Sequence, residues 1–259
     1  MDSSQFILSG ELVGLLVGMT GVGGGSLMTP LLTIIFGVAP TTAVGTDLAF
    51  AAITKGFGTA ANRLHGTVRW DIVRLLCVGS LTTAVLSILI LKYVGPVSKN
   101  FNHLISISIG ISVLLTAASL LFRAQIVKWV QDNPGFLPSG TSLKLATILV
   151  GAVIDVLVTV SSIGAGAIGA TLILVLYPHL KPAQVAGTDI AYAVPLTALA
   201  GIGHWWLGNV HFDLLFGLLL GSVPAIWLGA KLSSTLSERA TRTTLAATLF
   251  LVGIKLVSS

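Results

Sequence analysis

The sequence predicts an all-α polytopic membrane protein made of two homologous, inverted repeats. Each repeat reads as a glycine-broken re-entrant helical hairpin plus three transmembrane helices. Three observations carry this: very few charges, apolar runs of membrane-crossing length, and a sequence that repeats itself. Charged residues are 9% of the 259-residue chain and hydrophobic residues 54%, where a soluble protein carries about 25% charged residues. Such a chain has too little polar surface to cover itself in water. The composition argues against nucleic-acid binding, a secreted disulfide scaffold or a soluble enzyme. The single cysteine, Cys77, excludes an internal disulfide and a cysteine-based zinc site. No Lys or Arg precedes the first apolar run, so Met1–Gly10 does not read as a cleaved signal peptide.

Apolar runs fall at 6–36, 41–62, 71–92, 101–122, 142–178, 184–207, 212–231 and 240–257. Six of these approach the roughly 20 residues that one helix needs to cross a core about 30 Å thick. No strand-like alternation runs through them, so helices are favoured over a barrel. The other two are too long. As single helices, 6–36 would reach about 46 Å and 142–178 about 55 Å. Both are interrupted by glycine: Gly21-Val-Gly-Gly-Gly25 in one, Gly164-Ala-Gly166 and Gly169 in the other. Each glycine weakens a helix by about 1 kcal/mol, so each long run is predicted to become two shorter helices. The turn between them must be enclosed by protein or water, because lipid cannot satisfy bare backbone groups.

Gly45-Thr46-Asp47-Leu-Ala-Phe50 is echoed by Gly187-Thr188-Asp189-Ile-Ala-Tyr192, an offset of 142. The same offset pairs Gly66-Thr-Val68 with Gly208-Asn-Val210, Asp71 with Asp213, and Gly79-Ser80 with Gly221-Ser222. With one residue of slippage, Gly23 and Gly25 pair with Gly164 and Gly166. The domains are therefore 1–122 and 142–259, joined by a cytoplasmic linker at 123–141. With both long runs drawn as hairpins, ten Lys and Arg share one side: Arg63, Arg69, Arg74, Arg123, Lys128, Lys144, Lys181, Lys231, Arg239 and Arg242. Only Lys92, Lys99 and Lys255 take the other, as the positive-inside rule requires. A hairpin in the second run alone gives the same split; homology between the halves argues for both. Three crossings per half invert the second, an architecture that places a transporter's site where the halves meet.

The glycine breaks are the first site candidates. The second arms, starting near Ser26 and Ala167, would aim helix N-termini at mid-membrane, where free N–H groups favour an anion. Gly23, Gly24, Gly25, Ser26, Gly164 and Gly166 are the candidates there; tight helix packing is the competing role. Asp47 and Asp189 are open to two roles, an electrostatic cap or the carrier of a coupling proton or cation. Thr46 and Thr188 would bond the anion or their own helix. Lys55 lies deep in its run, and a buried ammonium needs an anionic partner: Asp47, Asp189, Glu11 or the substrate. His204, beside Trp205 and Trp206, is read as an interfacial residue or a ligand. Glu11 and Asp155 are lone acids placed near an interface. No catalytic, metal or cofactor constellation is present; the five histidines are scattered.

Gly21-Val-Gly-Gly-Gly-Ser-Leu-Met-Thr-Pro30, Ala43-Val-Gly-Thr-Asp47 and Arg63-Leu-His-Gly66-Thr-Val-Arg-Trp-Asp71 resemble a known family. The second copy carries Ala186-Gly-Thr-Asp189, His204 and Gly208-Asn-Val210. The chain resembles the sulfite exporter TauE/SafE family, grouped with toluene sulfonate uptake permeases. The resemblance implies a transporter of a small organosulfur anion, sulfite or a sulfonate, in a bacterial or archaeal cytoplasmic membrane. It implies no cofactor and no partner beyond the anion and the bilayer. Two departures concern the substrate: the second glycine motif is Ser162-Ile-Gly-Ala-Gly-Ala-Ile-Gly, and Pro195 stands where small polar residues are common. An anion channel, or a non-transporting enzyme or assembly factor, is the alternative.

Overall fold

The computed structural model describes residues 3–20, 25–64, 66–94, 100–133, 135, 137–233 and 238–258. These residues form α1 (Ser3–Thr20), α2 (Gly25–Ile34), α3 (Pro40–Leu64), α4 (Trp70–Val94), α5 (Phe101–Asp132), α6 (Gly140–Ser161), α7 (Ala167–Leu176), α8 (Pro182–Trp206), α9 (Phe212–Ser233) and α10 (Glu238–Ser258). No strand occurs among them. The second over-long run is divided where glycine predicts it, α6 from α7; the predicted break of the first, at Gly21–Gly24, lies outside the described residues. One helix runs further than expected. α5 continues well past Phe122 into the segment read as linker, because Arg123–Asn133 holds good helix formers and no breaker before Pro134.

The described molecule is inside-out by the standard of a soluble protein. Val78, Val85, Leu86 and Ile90 of α4, Leu145, Leu149 and Val153 of α6, and Phe216, Leu220 and Val223 of α9 are exposed. Asp47, Asp155, Asp189, Thr46, Thr188 and His204 are buried. Apolar faces outside and polar groups within are what a hydrocarbon solvent selects. Among the described residues α4, α5, α6 and α8 are long and apolar enough to cross a membrane. α3 matches α4 in length but is less apolar, because Asp47, Lys55 and several Thr and Gly interrupt it. The chain is a multi-pass membrane protein.

The main helix pairings are α1 with α9, α4 with α6, α3 with α8, and α5 with α10. Exchanging α1–α5 for α6–α10 maps this set onto itself. The α1–α9 and α4–α6 pairs approach backbone to backbone. A methyl on Gly79 would strike the Ile148 carbonyl, and one on Gly151 the Leu76 carbonyl. Gly10 and Gly14 meet Leu218 and Ser222 of α9 in the same manner. Small residues at crossings let dispersion contacts form in lipid, where water expulsion no longer drives association. Gly151→Val is therefore expected to cost about 1–3 kcal/mol by overpacking, seen as a lower melting temperature in detergent. Gly56→Ala, with open space around the added methyl, is expected to leave it unchanged or raise it.

Two short loops repeat each other bond for bond. After α3, Gly66 N–H donates to Arg63 O (3.1 Å) and Thr67 N–H to Asn62 O (3.2 Å). After α8, Gly208 N–H donates to Trp205 O (2.9 Å) and Asn209 N–H to His204 O (2.9 Å). Gly66 (φ 64°) and Gly208 (φ 77°) supply the left-handed residue that ends each helix.

Candidate functional site

The α6–α7 break is built from conformations that suit few residues. Ser162 is left-handed (φ 62°), and Gly164 and Gly166 sit at φ 139° and 137°, a region that costs an L side chain dearly. Ser162 N–H closes α6 on Val158 O at 2.7 Å, and Ile163 N–H donates to Ser161 Oγ at 3.2 Å. α7 then begins at Ala167. Its far end returns to the first part of α6, where Tyr177 Oη lies 2.7 Å from Thr147 Oγ1. The two helices thus double back, with the turn at Ser162–Gly166. Ser119 of α5 fixes the start of α7, donating to Ala167 O (3.2 Å) and Thr171 Oγ1 (2.9 Å).

Lys55 reaches this turn from α3. Its Nζ donates to the Ala165 carbonyl at 3.2 Å. The half-buried ammonium lies within electrostatic reach of both Asp189 and Asp47, and neither is close enough for a direct ion pair. Asp47 accepts from Thr29 Oγ1 of α2 at 2.5 Å, and the Ser162 hydroxyl lies beside it. It therefore stands between α2 and the α6–α7 break. Asp189 lies against the first turn of α7. Its Oδ1 occupies the space that a methyl on Gly169 would take, and the Gly166 backbone faces its carboxyl group. Three buried polar atoms here have no partner: Asp47 Oδ1, Ser162 Oγ and Asp189 Oδ1; Ser26 Oγ of α2 is likewise unpartnered. Buried polar groups are rarely left unpaired, which makes the surroundings of the α6–α7 turn the candidate site.

Of the residues singled out in the sequence, the structure brings together Asp47, Lys55, Gly164, Gly166 and Asp189; Ser26 is buried near the start of α2. Gly25 is the first residue of α2; Gly23 and Gly24 lie outside the described residues. Thr46 and Thr188 each hold a loop of the other half. Thr46 Oγ1 accepts from His211 N–H (3.1 Å), and Thr188 Oγ1 from Arg69 N–H (3.0 Å). Gly45 and Gly187 let those loops approach, since a methyl would strike Asn209 or Thr67.

His204 is no belt residue. Trp205 and Trp206 are exposed, but His204 is buried, with Nε2 2.8 Å from the Thr159 carbonyl. A carbonyl only accepts, so Nε2 carries the hydrogen. Asp155 is not interfacial either. It is fully buried and accepts from Thr159 Oγ1 (2.9 Å) and Ser87 Oγ (3.4 Å). Its missed signal was Thr159 itself, four residues along the same helix face. Ser162, Thr29 and Ala165 were also missed. Ser162 stood just before the glycines, but the contribution of Ala165 is a carbonyl, which no side-chain pattern reveals. Glu11 is exposed and makes no ion pair with Lys55. Among the described residues no group of three His, Cys, Asp or Glu could hold a metal ion.

A family model described as Sulfite exporter TauE/SafE matches residues 6–256. The chain belongs to that family. As a TauE/SafE protein it is a membrane transporter and not an enzyme. It is 37% identical to the probable membrane transporter protein YjnA of Bacillus subtilis, over 98% of this chain and 100% of that one. Identity to the B. subtilis probable membrane transporter protein YdhB is 26%, covering 95% and 96%. The archaeal relative MJ0441 of Methanocaldococcus jannaschii, also a probable membrane transporter protein, is 23% identical, covering 96% of this TauE/SafE chain and 92% of its own. No solved structure matches the chain.

Proposed function

We propose that this protein moves a small organosulfur anion, sulfite or a short sulfonate, across the cytoplasmic membrane by alternating access. The family description favours export. The observation that carries this reading is the Lys55 contact: a cation from the first half donates to the turn of the broken helix in the second. The anion would sit between Lys55 and the N-terminus of α7, with the α2 terminus and Ser26 as the matching arm. Half-helix N-termini supply N–H groups and the positive end of the dipole without extra buried charge. Thr46 and Thr188, through their hydroxyl hydrogens, and His204, through the unpartnered Nδ1, are further polar groups available to the anion path.

Charge balance assigns the coupling role. With Lys55 and the nearby Arg123 charged and both carboxylates ionised, the site carries no net charge and offers an anion no net attraction. Protonation of either carboxylate, Asp47 or Asp189, leaves the site net positive. The coupling ion is therefore a proton held on these carboxylates. The duplicated loops, the reciprocal Thr46 and Thr188 contacts and the pairing set that survives exchange of the halves support two inverted repeats, 1–122 and 142–259. Rocking one repeat against the other would expose the shared site to either side.

The test is flux of ³⁵S-sulfite in proteoliposomes. The expected result is saturable flux above that of protein-free liposomes, accelerated by an imposed pH gradient. Unsaturable flux that only dissipates its gradient would make the protein a channel. Flux equal to empty liposomes would remove the sulfite reading.

A further inference from the structure

The positive end of α7 assigned to the anion is already faced by a carboxylate of the protein. Asp189 is 4% exposed, and its Oδ1 presses on Gly169 within the first turn of α7, with no hydrogen-bond partner. Asp47 is 0% exposed, is held by Thr29 within α2, and also has an orphan Oδ1. A buried carboxylate with an unsatisfied oxygen is costly, and nearby N–H groups and a dipole end lower that cost. A sulfite or sulfonate oxygen makes the same demands on the same groups. Both cannot be met together, because one N-terminal turn offers only a few free N–H groups.

We propose that Asp189, with Asp47 as its counterpart, acts as a built-in competitor for the transported anion. The ionised carboxylate occupies the half-helix end in the empty transporter. Protonation neutralises it, it leaves the helix end, and the anion takes its place. This rests on the anion reading above and deepens it: proton and anion bind together and move in the same direction. A singly protonated site carrying a dianion then moves net negative charge, and a negative-inside potential drives that charge outward.

The charged and titratable groups around Asp189 are Lys55 from α3 and Arg123 from α5, with Tyr192 further along α8. α7 contributes none. Lys55 also faces Asp47, and Asp155 of α6 acts on Tyr192.

Competition makes a prediction opposite in sign to a ligand role. Asp189→Asn is expected to bind ³⁵S-sulfite at least about fivefold more tightly than wild type at alkaline pH, and to lose most of the pH dependence of binding. Equal or weaker binding by folded Asp189→Asn would overturn the proposal. Wild-type protein gives a second reading that needs no variant. Thiosulfate, which does not itself titrate near neutrality, is expected to draw close to one proton from weakly buffered solution per anion bound. Thiosulfate binding without proton uptake would overturn the proposal and leave the anion site standing. Failure of wild type to bind either sulfite or thiosulfate at any pH would overturn the anion reading, and this one with it.

Discussion

Lys55→Met is expected to lower sulfite transport in proteoliposomes by about 100-fold or more while the protein stays folded. Methionine keeps most of the side-chain volume and removes the charge. Two effects then act together. The Ala165 carbonyl loses its donor, and the anion loses the cation nearest the α6–α7 turn. Two unit charges about 4 Å apart interact by about 4 kcal/mol at an effective dielectric of 20. A longer separation weakens this, yet about 2.7 kcal/mol suffices for 100-fold. The loss is larger than for a surface lysine because lipid and protein exclude the screening that salt supplies outside. Lys55→Arg retains the charge and is expected to recover part of the flux. Transport by Lys55→Met within twofold of wild type would remove Lys55 from the mechanism.

Gly166→Ala is expected to reduce transport by about 10- to 100-fold for a different reason. Open space surrounds the position, so an added methyl meets nothing within 4 Å. The obstacle is the backbone, at φ 137°, where an L residue pays about 1–3 kcal/mol. The turn escapes that strain by relaxing, and relaxation re-aims the first N–H groups of α7. Gly208→Asn is the matched comparison. Gly208 is equally open, but its φ of 77° is near the left-handed region that Asn tolerates. It is expected to keep flux close to wild type. Equal flux from Gly166→Ala and wild type would show that the α7 terminus need not be placed exactly as the glycines place it.

The helices were legible because lipid imposes one period and one length. Run 142–178 could not be one ordinary crossing, and its glycines marked where it divides; the turn at Ser162–Gly166 follows. The far end of α5 was not legible, because Arg123 and Lys128 end an apolar run without ending a helix. Within the site, depth alone identified Lys55, and repetition identified Asp47 and Asp189. Their partners were hidden. The Ala165 carbonyl belongs to the backbone, and Thr29 reaches Asp47 only after α2 packs on α3. Asp155 shows the limit of the repeat argument. Lacking a counterpart, it was placed at an interface, but Ser87 and Thr159 satisfy it in the interior. The same holds for His204, whose tryptophan neighbours face outward while its own ring turns inward to α6.

The central claim is that one anion lies where the halves meet, between Lys55 and the start of α7. Crystals soaked in selenite, the heavier congener of sulfite, test it by anomalous diffraction at the selenium edge. The expected result is a peak between Lys55 Nζ and the Gly166–Ala167 backbone, weakened in Lys55→Met crystals. A peak at Asp155 and His204, or only on the basic loops near Arg69 and Lys181, would contradict it.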